Sequence, residues 1–295
     1  MQLIKEIDVV ESISQKEFLK NYFYPQKPCI IKGLIKNTPA ENWDFDYMKK
    51  ELGNVLVDVF DNTIHKTSAY VGGDKTMLFS EFIDEILKNK DCCPYRLFLF
   101  NGFKYSKKLQ ADFPCPAIFK GILDNVGFMF FGGKNTIVRM HFDIDMSAVL
   151  HTHFYGKKRV LLIPYECTPF MYRPYFNTYS IANFSYIDDI DYQKFPALKK
   201  VKGYDIYLHH GDSLFMPCGY WHYMIYLEPS FSVAYRKFPY GIQHAINGAL
   251  NLTIRLWTDK ILNKILGKKW ADWKFHQAIK QSNTRAGVFS LYSPR

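Results

Sequence analysis

The stretch Val138-Arg139-Met140-His141-Phe142-Asp143-Ile144-Asp145 opens the part of the chain, residues 138–226, around which the rest is organised. On a β-strand alternate residues project to one face, so His141 and Asp143 stand together, with Arg139 and Asp145 in the same parity. An imidazole beside a carboxylate offers two ligands to a divalent metal. The third is expected from His222, at the end of Gly211-Asp212-Ser213-Leu214-Phe215-Met216-Pro217-Cys218-Gly219-Tyr220-Trp221-His222. That segment reads as a strand, a Pro/Gly turn, and a second strand that begins with the histidine. Two histidines and one carboxylate form a facial set with open coordination positions, the arrangement associated with non-haem Fe(II).

Between the two halves of this set lies Gly156-Lys157-Lys158-Arg159-Val160-Leu161-Leu162-Ile163-Pro164, and upstream of both stands Lys27-Pro28-Cys29-Ile30-Ile31-Lys32-Gly33-Leu34. Together these motifs resemble the cupin-like Jumonji-C family of Fe(II)- and 2-oxoglutarate-dependent oxygenases. The likeness extends to its asparaginyl- and wybutosine-hydroxylase branches and to bacterial cupin-like members, and covers roughly residues 27–237. The resemblance implies a double-stranded β-helix and metal ligation by His141, Asp143 and His222. It also implies Fe(II) as cofactor, with 2-oxoglutarate and O₂ as co-substrates, 2-oxoglutarate being oxidised to succinate and CO₂.

The same resemblance makes Lys158 the first candidate to anchor the far carboxylate of 2-oxoglutarate, because the family places a lysine on this strand. Arg236 is the second candidate, since other 2-oxoglutarate oxygenases use an arginine after the distal histidine, and its planar fork suits a carboxylate. Arg139 is the third. The chain departs from the asparaginyl-hydroxylase pattern in a longer interval between His141 and Lys158, which implies a bulge or longer turn within residues 144–155. It departs again at Val138, Phe98 and Ala234, where polar co-substrate contacts are replaced. Asp145, His153, Tyr220 and Trp221 are expected around the substrate pocket. His151 and His153 alternate on a strand as a rival metal pair, but no carboxylate follows them, and the family has Gln at the position of His153.

Composition sets the outer bounds. The 295 residues suit one large domain or one domain with an appendage, and 48% hydrophobic with 17% aromatic residues are enough for a sizeable core. A net charge of +10 favours anionic partners by long-range steering. Six cysteines, including the adjacent Cys92-Cys93, form no Cys-x-x-Cys zinc pair and suit a reducing compartment. The opening residues become charged before any apolar run develops, and no stretch is apolar enough to span a membrane, so a soluble, cytoplasmic protein is expected.

In chain order, helical spacing is expected over residues 14–23, capped by Ser14 and stopped at Pro25, then over 43–52 and 78–87. Strands are expected at residues 28–34, 55–60 and 95–100, and then densely from 137: 137–143, 148–155, 159–164, 212–216, 221–226 and 231–235. Short strands at such intervals indicate a sandwich or jelly roll. The fold class is therefore mainly β. A double-stranded β-helix core (residues 137–237) follows an N-terminal α/β extension (1–136) and precedes a C-terminal helical segment (238–295). The aromatic-rich insert 168–201 reads as a lid or substrate loop. The apolar helical pattern of residues 241–266 and 270–281 points to helices that pack back on the barrel or dimerise, and the resemblance leans toward a homodimer.

Two functional readings follow. The first is an oxygenase that hydroxylates a protein side chain, an RNA or a small molecule. The second is a non-catalytic cupin-like module that binds a ligand or RNA, for which loss of a ligand residue would be expected. Basic charge fits RNA, yet no RNA-module recognition motif is present.

Overall fold

The computed structural model describes residues 1–61, 73–89, 91, 95–121, 126–185 and 187–288. Cys92-Cys93 lies outside them. Before the barrel come strands β1 (Gln2–Ile4), β2 (Asp8–Val10), β3 (Cys29–Ile31), β4 (Leu56–Asp61), β5 (Lys75–Leu78), β6 (Tyr95–Phe100) and β7 (Gly127–Gly132). The barrel strands are β8 (Ile137–His141), β9 (Ala148–Tyr155), β10 (Lys158–Ile163), β11 (Lys202–Leu208), β12 (Ser213–Met216), β13 (Trp221–Tyr226) and β14 (Ser230–Lys237). They form a five-stranded sheet in the order β1-β11-β10-β13-β8 and a nine-stranded sheet in the order β2-β3-β12-β9-β14-β7-β6-β4-β5.

From β8 onward the chain repeatedly crosses between the sheets, β8 to β9, β9 to β10, β11 to β12, β12 to β13 and β13 to β14. Such crossing closes two sheets face to face, as the double-stranded β-helix requires. The β9–β10 crossing is made at Gly156, whose φ is +74° and where a Cβ would lie 2.2 Å from the Pro229 carbonyl oxygen, so only glycine fits. Strands β2 to β7 of the first 136 residues belong to the large sheet, with β7 paired to β14 and β3 to β12, while β1 joins the small sheet beside β11.

Three apolar clusters follow from strand alternation. One lines the space between the sheets, with Val149, Val160, Leu162, Leu214, Met216, Met224 and Ala234. A second lies behind the large sheet, where the helices α1 (Gln15–Phe18), α2 (Phe45–Leu52), α3 (Phe79–Lys88) and α4 (Lys107–Asp112) pack Phe18, Met48, Phe82 and Leu109. Local signals place α1, α2 and α3 as expected, whereas α4, capped by Ser106, falls in a stretch read as irregular. Ser14 and Glu17 form a capping box, and Asp44 accepts from the Tyr47 amide.

The third cluster lies outside the small sheet and contains most of the insert 168–201. Met171, Tyr172, Phe184 and Leu198 are buried there against Phe142 and Trp221. The insert is clamped by the C-terminal helix α7 (Lys268–Ala286). The Tyr172 amide donates to Ser282 Oγ (3.0 Å), and its hydroxyl to Asn283 Oδ1 (2.5 Å). Residues 178–180 add to the β8 edge through Phe142 N→Thr178 O and Ser180 N→Met140 O, both 3.0 Å. The insert is thus packed wall rather than open lid, because its aromatic residues cover the outer face of the metal strand.

The tail forms α5 (Ile242–Leu250), a π-helical turn at Asn251–Arg255, α6 (Leu256–Leu266) and α7. Gly248 lies against the barrel, where a Cβ would sit 2.4 Å from the Asp145 carbonyl, and Asn251 Nδ2 donates to the Ile144 carbonyl at 3.0 Å. The helices therefore back the turn that carries Asp143 and Asp145. Among the described residues no helix is long and apolar enough to cross a membrane.

Candidate functional site

β8 and β13 are antiparallel neighbours with His141 directly opposite His222, and directly opposed residues on one face are the closest side-chain pairs a sheet offers. Their ring centroids are 4.2 Å apart. Asp143 follows two residues after His141, in the turn of residues 142–147, and the ligand atoms of His141, Asp143 and His222 all lie within 4.8 Å of one another. Parity sends the intervening Phe142 outward, edge-on to Trp221 at 4.9 Å. Between His141 and Lys158 the chain makes both this turn, where Met146 adopts φ +57° and its amide donates to the Asp143 carbonyl, and a register shift of β9 against β14 between His153 and Tyr155.

Both histidines are held for ligation through Nε2. His141 Nδ1 lies 2.7 Å from the Arg139 carbonyl and His222 Nδ1 lies 3.1 Å from the Tyr220 carbonyl. Each Nδ1–H therefore donates to backbone, which fixes the tautomer and turns Nε2 inward. Burial, then the neighbouring His222, lowers the His141 pKa to about 3, while burial lowers that of His222. Both imidazoles are neutral, as metal ligation requires. Burial works to raise the Asp143 pKa, but Arg236 and the two imidazoles outweigh it and hold the carboxylate ionised. The donor set of two neutral imidazoles and one carboxylate fits a divalent transition metal.

Arg236, on β14, is spent at this end of the barrel. Its Nη2 donates to Asp143 Oδ1 (3.2 Å), and its Nη1 to both oxygens of Asp145 (3.1 Å) and to Ser147 Oγ (3.3 Å). It braces the Asp143 carboxylate at the His141/His222 end of the barrel, and its donors are taken up there. The reason is register, since Arg236 pairs with Val149 at the start of β9, beside the metal turn. Asp145 is likewise a brace for Arg236. Arg139 does not share the face of His141, because the β8–β13 register shifts between His222 and Met224. Its guanidinium donates to the Ser180 carbonyl (3.2 and 3.3 Å) and stacks 3.8 Å from the Tyr179 ring centroid, outside the barrel.

Lys158 lies at the other end. It is completely buried, its Nζ donates to Ser232 Oγ (2.7 Å) and sits 4.2 Å from the Tyr226 ring centroid. Among the described residues no carboxylate forms an ion pair with it. Burial drives its pKa well below the ordinary lysine value. An ammonium in such a place is costly unless an anion joins it, so the site fits a carboxylate arriving from outside.

His153 stands behind this lysine rather than in a substrate pocket. Its Nδ1 is 2.9 Å from Ser232 Oγ and its Nε2 is 3.0 Å from the Gly156 carbonyl. The network assigns a chain from Lys158 Nζ–H to Ser232, from Ser232 O–H to His153 Nδ1, and from His153 Nε2–H to Gly156. Trp221 also leaves the pocket. It alternates with His222, is fully buried in the outer cluster, and donates to Thr168 Oγ1 (3.0 Å). Tyr220 remains at the mouth, with Asp143, Ser147, Met216, Pro217 and His222 around it. Ser147 and Ser232 have no sequence signal of their own. Only the parity of Ser232, Ala234 and Arg236 along β14 hints that they share the interior.

The chain matches the cupin-like domain family over residues 14–253. It is 28% identical over 259 residues to JmjC domain-containing protein D of Dictyostelium discoideum, covering 79% of this chain and 56% of that protein. To lysine-specific demethylase JMJ30 of Arabidopsis thaliana it is 26% identical over 240 residues, covering 78% and 54%. To tRNA wybutosine-synthesizing protein 5 of Gallus gallus it is 23% identical over 258 residues, covering 79% and 76%. The chain spans about half the length of the first two. The matched residues include every barrel strand and all three ligand candidates, and so this protein belongs to the cupin-like domain family, among relatives named for the Jumonji-C domain.

Proposed function

We propose that this protein is an Fe(II)- and 2-oxoglutarate-dependent oxygenase that hydroxylates a C–H bond of a protein side chain, an RNA or a small molecule. The observation that carries this reading is the pairing of two sites in one barrel. One end holds a neutral, oriented His141/Asp143/His222 set. The other holds a buried lysine with an amine and no carboxylate partner among the described residues. A short dicarboxylate with a chelating keto-acid end meets both requirements at once. Relatives named as demethylases and as a tRNA wybutosine-synthesizing protein support oxidative chemistry on protein or RNA without choosing between them.

Bound Fe(II) with 2-oxoglutarate and O₂ would supply the oxidising power, and the protein's own residues supply position and exclusion of water. Arg236 and Asp145 hold the Asp143 carboxylate in place. The backbone carbonyls of Arg139 and Tyr220 keep both imidazoles in one tautomer. Lys158, aimed by Ser232 and His153, receives the far carboxylate and takes up the proton that makes the pair charge-assisted. The apolar layer between the sheets keeps the reaction dry.

The exposed apolar stripe running along α5, the π-helical turn and α6 supports a homodimer as the working form. Ile242, Ile246, Ile254, Trp257, Ile261 and Ile265 recur at helical spacing and face solvent. The primary test is incubation of the purified protein with Fe(II), ascorbate and 2-oxoglutarate, following succinate across protein, tRNA and metabolite fractions. Stimulated succinate formation in one fraction is expected. Absence of both succinate formation and 2-oxoglutarate binding would leave the non-catalytic module as the better reading.

A further inference from the structure

Strand register divides the barrel interior into three layers. At the closed end Lys158 lies opposite Tyr226 and Ser232 opposite His153. At the mouth Leu162 lies opposite His222 and Arg236 opposite Val149. Between them Val160 faces Met224, and Ala234 and Leu214 flank His151, with Val138 opposite Met224. On β9, β10, β13 and β14 each layer is two residues from the next, about 6.5 Å at the usual rise, and on β8 a bulge makes the step from His141 to Val138 three residues. A ligand that reaches from the metal ligands to Lys158 must therefore pass through the middle layer.

His151 is the only polar side chain among those six middle-layer residues. It is 3% exposed, and its Nε2 is buried with no hydrogen-bond partner. Its ring lies 5.7 Å from that of Phe130, and its paired neighbours on the adjacent strands, Leu214 and Ala234, are apolar. Burial holds it neutral, well below the ordinary histidine pKa. A buried nitrogen left unsatisfied calls for a partner, and the path between the two ends of the site is where that partner would lie.

We propose that His151 is a binding residue for the co-substrate, its Nε2–H donating a hydrogen bond to an oxygen of 2-oxoglutarate as the acid crosses the middle layer. This rests on the function proposed above and deepens it. In this chain polar contacts are absent at Val138 and Ala234, and His151 offers a replacement donor from the facing strand. It acts beside Lys158 and not through it, since Lys158 is already oriented by Ser232 and His153.

The test is equilibrium binding of 2-oxoglutarate to the Fe(II)-loaded protein without O₂, together with the melting temperature of each metal-free variant. His151→Phe should weaken 2-oxoglutarate binding about ten- to a hundred-fold, the range for a hydrogen bond to a charged group. Its metal-free form should melt at or above the wild-type temperature, because an unsatisfied buried nitrogen is removed. His151→Leu gives a second reading if the larger ring does not fit. His151→Gln, which keeps a donor, should bind within about three-fold of wild type, a factor worth less than 1 kcal/mol. Equal binding by wild type and by a folded His151→Phe or His151→Leu variant overturns this inference and leaves the proposed function standing. Failure of the wild-type protein to bind 2-oxoglutarate overturns both.

Discussion

The barrel interior and the C-terminal helices place their side chains in opposite ways. Inside the barrel, Lys158 is 0% exposed and His151 3%, so costly polar groups are hidden. On α5 and α6, Ile242 is 80% exposed and Trp257 60%, so apolar groups are shown to water. His151 Nε2 is unpaired and Lys158 has no carboxylate partner among the described residues, which points to a ligand, while an exposed apolar stripe indicates another surface. The two regions meet at the Ile144–Asp145 backbone, against which Gly248 and Asn251 pack. Substitutions in one region should therefore test catalysis, and substitutions on the stripe should test assembly.

The largest effect is expected from Asp143→Ala. It removes the only carboxylate among the ligand candidates and leaves Arg236 with Asp145 and Ser147. Succinate production should fall to background while circular dichroism stays native. Turnover at the wild-type rate would show that Asp143 is not a ligand.

Next come the two cations, which the structure assigns to opposite ends. Lys158→Ala should raise the apparent KM for 2-oxoglutarate about ten- to a hundred-fold with little change in iron affinity. Arg236→Ala should do the reverse, lowering metal affinity by about ten- to a hundred-fold, as loss of a ligand's supporting partner commonly does. Titrating each variant separately with 2-oxoglutarate and with Fe(II) gives the comparison. An exchange of the two patterns would reverse the polarity of the barrel.

A smaller effect is expected from pH on the metal-free protein. The folded-state pKa of His141 is depressed to about 3, below the usual 6.5. Between those values the unfolded chain binds a proton that the folded one refuses, so stability rises with pH across that window. It is complete above about 6.5 and is lost as pH falls toward 3. Thermal melts from neutral to acid pH should show the decline, and His141→Phe should flatten part of it.

The smallest effect on catalysis is expected from Trp257→Lys with Ile261→Lys. These exposed positions lie away from the barrel interior. Sedimentation should show a dimer becoming a monomer, while the KM for 2-oxoglutarate stays within about two-fold, a change of less than 1 kcal/mol. A monomeric wild type would leave the stripe for a different partner.

Much of this was legible in the residues. The His-x-Asp pair, the Pro/Gly turn before His222 and the Gly-Lys-Lys-Arg strand all lie where local pattern is strong, and helix caps such as Ser14 and Asp44 announce themselves. Strands β1, β2, β5 and β11 escaped, because their pairing is long-range and their composition mixed. β11, for instance, carries Lys202, Gly203 and Asp205 and is held between β10 and the parallel β1.

By itself, then, the sequence determined the ligand types, the alternation that puts them on one face, and the strand-rich character of the core. Only the tertiary structure decided where each cation works. Arg236 and Lys158 are equally basic in sequence, but register carries one to the metal turn and the other to the closed end. The same register sent Trp221 outward, His153 behind Lys158, and His151 into the middle layer. Side-chain period along a strand is a local property, whereas the layer a side chain occupies depends on which strand lies opposite and at what offset.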